Sequence, residues 1–528
     1  MTRPERSALD ELIRGGGRAL LGSLILAAIG CISLPDEFHC TSQSSCRGPT
    51  GGRCELSGYC SVPDSTCAAS GRRYGEYSGA KSSQCVALSA HAFGGPYDDW
   101  LRAVEVINDD RVAVAGAFAG GTTSSMAEGE RTAVFGSQTL TSSEDFDVFV
   151  GGWSTRREDF DWLERFGGGE GQDFGADLVK LDDTTVVLAG GYVGHLDIPN
   201  LNTIESFYGS VFLLWLDDGA ASGLFGVDTT WGPAPPRAAL DGEGIVVACS
   251  FGDTALHVGG IEVPVAYPQG AFVMRHPTDP GGAPGVPLVI SSDKPSTAAY
   301  AIAGGDGIVI GGVLAGEYEF QDHPPVESLT ASDGFVVELA PEGGLGWDWR
   351  IHGTAPVHES EIDVVARTSD GDWIAVGSFT GHIDGTTLVA PSGARSLVIA
   401  RLRNGAPVWM DTVGGTGTIW PRDAAIDPEG GLVVTGAFAG AIDFGDGVRQ
   451  SVEGTADAFV ARFSITTGLQ LRWLETFGGP GDDEPHALAI DPTGDVLVGG
   501  QFDGHLQVGS LGLESRGGTD GFLVRFER

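Results

Sequence analysis

One element recurs seven times along this chain, and it limits the fold more than any other feature, because a fixed period of this length marks a repeat architecture. It reads V-x-V-x-G-x-F-x-G and first appears as Val112-Ala113-Val114-Ala115-Gly116-Ala117-Phe118-Ala119-Gly120. The other copies centre on Gly190, Cys249, Gly312, Gly377, Gly436 and Gly500. The gaps are 74, 59, 63, 65, 59 and 64 residues, and a polar insertion at about Gly121 to Gly136 accounts for the long first one.

Each period carries three further strand signals. A second apolar strand follows the signature, as in Asp147-Val148-Phe149-Val150, Asp457-Ala458-Phe459-Val460 and Asp520-Gly521-Phe522-Leu523-Val524. A third ends in an aromatic residue and glycines, clearest at Trp162 to Gly168, Trp409 to Gly415 and Trp473 to Gly479. The last precedes the signature, as in Ala103 to Ile107 and Ala487 to Asp491. Four short strands with alternating apolar positions and Gly or Asp turns make one propeller blade, so the spacing predicts an all-β, seven-bladed β-propeller over 86–528. The final copy stops at Phe526 without its W/F-G-G strand, whereas Val86 to Gly95 supplies one ahead of the first copy. The strand at 86–95 is therefore expected to complete the last blade and close the ring, which hides the sheet edges.

The units resemble the SBBP type of β-propeller repeat, most clearly from Phe477-Gly478-Gly479 through Ala489-Ile490-Asp491-Pro492-Thr493-Gly494-Asp495-Val496-Leu497-Val498-Gly499-Gly500. Blade 3 departs most: Cys249 replaces the signature glycine, and the aspartate before the next strand is missing. The resemblance covers Val86 to Arg528 and implies a fold far more specifically than an activity.

Arginines at 3, 6, 14 and 18 precede an 11-residue apolar run, Ala19 to Ile29, and then Gly30-Cys31. That is the layout of a signal peptide over 1–30, and the run is well short of the roughly 20 residues a membrane-spanning helix needs. Leu26-Ala27-Ala28-Ile29-Gly30-Cys31 resembles a bacterial lipobox, although Ala28 stands where that family usually has Leu, and Ala28-Ile29-Gly30 also suits ordinary secretory cleavage. The lipobox reading implies a lipoprotein with lipid on Cys31, joined to the membrane by that anchor. Ile32, which is not the Asp of inner-membrane retention, then implies an outer-membrane place in the cell envelope, facing the periplasm or the surface.

Cys40, Cys46, Cys54, Cys60, Cys67 and Cys85 crowd the segment 31–85. An exported segment with too few apolar residues for a core needs cross-links, so three disulfides of undetermined connectivity are expected. Zinc is the weaker alternative, because the spacing contains no C-x-x-C pair. Cys54 to Cys85 looks like a small module found after the lipobox in myxobacterial lipoproteins, which implies an elongated neck that lifts the main domain off the membrane. Cys249, within Ile245-Val246-Val247-Ala248-Cys249, reads as a buried apolar thiol.

A formal charge of −40 argues against nucleic acid as a partner. Gly478-Gly479-Pro480-Gly481-Asp482-Asp483 and Gly168-Gly169-Glu170-Gly171-Gln172-Asp173 imitate a calcium β-roll repeat, but they are spaced by whole blades, and solvated turn carboxylates are the expectation there and at Asp98 and Asp99. His358-Glu359 opens a zinc-protease motif that Ile362 fails to complete. His352, His486 and His505 are scattered over different blades and expected at exposed positions. No catalytic residue, metal or cofactor is assigned. The sequence points to a monomeric, non-catalytic envelope scaffold that binds a protein or glycan through propeller loops; the alternative is an envelope hydrolase or lyase acting on polysaccharide or peptide at the channel mouth.

Overall fold

The computed structural model describes residues 38–527 apart from 41–42, 47–50, 121–130, 143–144, 169–170, 230–233, 253–254, 259–260, 295–296, 305–306, 321–325, 341–344, 356 and 453. The signal segment, Cys31 and most of the polar insertion lie outside the described residues. The remainder is a β-propeller. Seven antiparallel sheets follow one another, each with four blade strands in sequential order from the inside outward. The innermost strands are Asp98–Asn108, Phe174–Lys180, Arg237–Leu240, Ala298–Ala303, Ser360–Arg367, Thr418–Ile426 and Asp483–Ile490. Each lies against the next, and the seventh lies against the first, so the sheets form a closed ring around a channel.

The last blade takes its outermost strand from the other end of the repeat region. Leu88–Phe93 pairs antiparallel with Leu511–Phe526, in the register Phe93 to Gly521 and Leu88 to Phe526. Phe93 is buried and meets Phe135, Trp153 and Phe160 of blade 1 at centroid distances of 6.0, 5.3 and 5.4 Å. One side chain thus joins the first and last blades.

The core lies between blades, because alternate residues of each strand face the neighbouring sheet. Val148 and Val150 of blade 1 pack with Leu188, Phe212 and Leu214 of blade 2, and Val460 and Phe477 of blade 6 with Val498 and Phe522 of blade 7. Burial of Cys249 between blades 2 and 3 holds its thiol up at about 12, so it is protonated at neutral pH.

The connection between second and third strands is used in the same way in every blade: it reaches back to the outermost strand of the preceding blade or to the glycine just after it. Full strand pairs form between Ala220–Asp228 and Ala255–Val258, Leu288–Ser292 and Glu317–Phe320, and Ala406–Gly415 and Ala441–Asp443. Elsewhere a single bridge suffices: Gly94 to Val134, Gly168 to His195, Gly353 to Ile383 and Gly478 to Gln507. These contacts explain the glycines after or at the end of the outermost strands of blades 5, 6 and 7, Gly415, Gly479 and Gly95, since a neighbouring backbone lies over them. A Cβ on Gly479 would stand 1.6 Å from the His505 carbonyl oxygen.

The cysteine-rich segment does not stand off the ring as the expected elongated neck. Arg53 forms an ion pair with Glu475 and donates to the Leu474 carbonyl at 2.9 Å. Leu56 is buried against Val433, Trp473 and Val496, and the Ser510 amide donates to the Ala69 carbonyl at 2.9 Å. A segment without its own core gains apolar burial by docking on the rim of blades 6 and 7.

Candidate functional site in the central channel

Six of the seven innermost strands carry a β-bulge at one place. The residue skipped in the ladder is Arg102, Ala176, Tyr300, Asp363, Arg422 or His486, and all six line one cavity on the ring axis. A bulge puts two consecutive residues opposite one and re-aims a side chain. Here it points the extra residue into the channel.

The signature glycine makes this possible. A Cβ on Gly436 would lie 2.1 Å from the carbonyl oxygen of Trp420, two residues before the bulge, and one on Gly377 would lie 2.0 Å from that of Glu361. Gly116, Gly190, Gly312 and Gly500 meet the equivalent carbonyl in the same way. Blade 3 departs from the others: Cys249 stands at the glycine position, and the inner ladder begins only at Arg237, paired with Ala248, so it stops short of the place where the other blades bulge. Arg237, at the start of that strand, still lines the cavity.

The cavity measures about 300 Å³ and gathers Arg102, Arg237, Tyr300, Glu361, Asp363, Arg422 and His486 from blades 1, 3, 4, 5, 6 and 7. All seven are half-buried: solvent reaches them along the channel while protein surrounds them on the other sides. Arg422 approaches Glu484 at 3.6 Å, whereas Arg102 and Arg237 make no ion pair with the described residues. The Arg102 guanidinium carbon lies 5.1 Å from the Trp100 ring centre, within cation–π range. Burial and the charges of Arg237 and Arg422 push Arg102 down to about 10, which leaves it protonated at neutral pH. Burial and those same arginines hold His486 well below its ordinary value, so its imidazole is neutral. Glu361 accepts from Arg395 and Ser378 at 2.8 and 3.0 Å. Asp363 is raised well above the usual carboxylate range by burial and by Glu361, and its Oδ2 has no hydrogen-bond partner in the protein.

The other candidates drawn from the sequence fall outside the channel, although His486 lies inside it, against expectation. Cys40–Cys54, Cys46–Cys60 and Cys67–Cys85 are disulfides with Cα separations of 5.8, 5.6 and 5.3 Å. Among the described residues one cluster has metal-ligand spacing, Cys40, Cys46 and Cys54, and its sulfurs are committed to disulfides. His358 is buried, and Glu359 pairs with Arg395 at 2.9 Å. His352 sits 3.6 Å from Asp384, and His505 2.9 Å from Glu514, both half-buried and not at the exposed positions expected. Asp98 accepts from Thr519, while Asp99 and Asp483 are buried instead of solvated and accept from the amides of Gly95 and Gly479 at 2.6 and 2.7 Å. Those aspartates are turn clasps between blades.

No protein-family model matches the chain, and no curated protein does. Solved structures do. The propeller of Dos1 is 9% identical with a TM-score of 0.36, over 83% of this chain and 95% of its own. A protein of unknown function from Dyadobacter fermentans is 12% identical with a TM-score of 0.37, over 84% and 99%. Sqt1 from Chaetomium thermophilum is 12% identical with a TM-score of 0.35, over 84% and 100%. The fold class rests on the chain's own sheets and their closure.

Proposed function

We propose that this protein is a non-catalytic scaffold of the cell envelope, anchored by lipid on Cys31 and binding a protein or glycan through its propeller. The observation that carries the binding reading is the channel cavity: six blades contribute polar side chains to one solvent-reached hollow, and two of its arginines have no carboxylate at ion-pair distance among the described residues. A binding site is a concave place where a few polar groups converge. The inter-blade role of the second-to-third-strand connections moves the binding surface from the loops toward the channel, because those loops stitch the ring together.

The hydrolase or lyase alternative needs an acid and a base in reach of one another. Glu361 is already held by Arg395 and Ser378, and His486 has no ion pair with a carboxylate among the described residues. Asp363 and Glu361 share the cavity, so the alternative keeps a carboxyl pair, and it is the commitment of Glu361 to Arg395 and Ser378 that favours binding over catalysis.

The test is photo-crosslinking in intact envelopes, with a crosslinkable amino acid at Pro235 on the cavity wall. One dominant protein or glycan adduct is expected, lost when the crosslinker is moved to the outer rim. Absence of any adduct from the cavity position would falsify the scaffold role.

A further inference from the structure

The chain holds 31 basic residues against 71 acidic ones, and most described arginines sit beside a carboxylate. Arg102 and Arg237 make no direct ion pair among the described residues, although Asp177 and Asp423 act on the charge of Arg237 and Glu484 on that of Arg102, and both line the axial cavity with Arg422. Their charges act on one another, so three guanidinium groups converge from blades 1, 3 and 6. Like charges held together with only one direct ion pair among them repel, and an anion placed among them relieves that repulsion. The acidic outer surface does not cancel this attraction, because it is screened beyond about 8 Å at physiological salt, whereas charges in a partly enclosed cavity are screened far less.

The rest of the wall restricts the anion. Asp363, whose Oδ2 has no partner in the protein, shares the cavity with the arginines, and the Tyr300 ring is half-buried beside it. Arg422 Nε and His486 Nε2 also lack partners in the protein. A bare inorganic anion would satisfy the arginines and leave the Asp363 carboxyl oxygen without a partner. A ligand carrying a carboxylate at one side and hydroxyl groups at the other satisfies both, since hydroxyls donate to a carboxylate and accept from His or Arg. Guanidinium forks bind carboxylates through paired charge-assisted hydrogen bonds, and an aromatic wall suits the apolar face of a sugar ring. The volume, about 300 Å³, lies at the small end of ligand pockets and suits one or two sugar units in place of a folded partner.

We infer that the channel cavity binds a hexuronic-acid unit of an acidic glycan, with Arg102, Arg237 and Arg422 on its carboxylate and Asp363, Tyr300 and His486 around its ring. This rests on the binding-scaffold reading and specifies its ligand.

The experiment titrates the purified full chain with glucuronate and galacturonate by calorimetry. The expected result is saturable binding by at least one uronate, with glucose silent, and about a tenfold to hundredfold weakening in Arg237→Gln and in Arg102→Gln, each losing one charge-assisted contact. Melting curves establish that the variants are folded; should one not fold, the other carries the comparison, and added salt must weaken wild-type binding. Absence of uronate binding overturns the inference, as does equal binding by the folded variants. Equal or tighter binding of N-acetylglutamate also overturns it, in favour of a peptide carboxylate. If the envelope crosslink forms while both uronates fail, the scaffold reading stands and the ligand assignment falls.

Discussion

Replacing Gly436 by Ala tests the chain of cause from signature glycine to channel. The added Cβ would sit 2.1 Å from Trp420 O, 2.9 Å from Pro421 Cα and 3.0 Å from Phe459 Cε1, where ordinary contacts begin at 3.4 Å. Two of those atoms are backbone, so the bulged strand must retreat by roughly 1 Å or more, an overpacking cost of about 1–3 kcal/mol. The intrinsic gain of Ala over Gly in a strand, about 0.5–1 kcal/mol, offsets part of this. A ring of roughly 440 residues unfolds with an entropy near 0.9 kcal/mol/K, which converts the net cost to a fall of at most about 3 °C. Gly242→Ala is the control, because its Cβ would meet nothing within 4 Å. The assay is scanning calorimetry of both variants with amide exchange across 420–424. Gly436→Ala should lower the transition and speed exchange at the bulge, and Gly242→Ala should do neither. Equal melting of the two variants, with the bulge amides unchanged, would refute the argument that the glycine exists to admit the bulge.

Two further outcomes follow from the blade contacts. Phe93→Ala should cost about 3–5 kcal/mol, the range for a fully buried aromatic ring, and should expose Leu88–Phe93 to proteolysis ahead of any other strand; a variant that loses stability without early cleavage there would contradict the latch. Burial holds Asp173 and Asp483 up at about 8, Asp520 at about 7 and Asp457 at about 6, and neighbouring aspartates add to the rise for Asp173 and Asp483. A carboxyl with a raised folded pKa binds more protons folded than unfolded, so its stabilising contribution is complete below about pH 4 and is lost as pH rises to about 8. Buried histidines act in the opposite sense, so the readout is a difference. Asp483→Asn should flatten the decline in melting temperature between pH 5 and 8.5 relative to the wild type, and an unchanged slope would contradict the assignment.

How far the sequence reaches can be judged from particular residues. The blades were legible because each repeats the alternation that buries one strand face, and the missing W/F-G-G strand after Phe526 pointed to its replacement near Phe93. The signature glycine was legible as a letter but not as a cause, since in five of the six bulged blades the carbonyl it accommodates belongs to a residue 16 positions earlier, as with Trp420 and Gly436. The channel set was missed because its members come from separate blades and each is unremarkable alone. A signal for it existed: Arg102, Ala176, Asp363, Arg422 and His486 each lie 14 residues before their signature glycine. Docking of the cysteine-rich segment had no local signal, because Arg53 and Glu475 meet only through the fold.

The most direct test of an anchored envelope scaffold is the intact mass and detergent-phase partition of the protein produced in a Gram-negative host, for the wild type and Cys31→Ser. Lipidation at Cys31 predicts a lipid-sized mass increment and detergent partition in the wild type, both lost in the variant. An unmodified, water-soluble wild-type chain cleaved near Gly30 would contradict it.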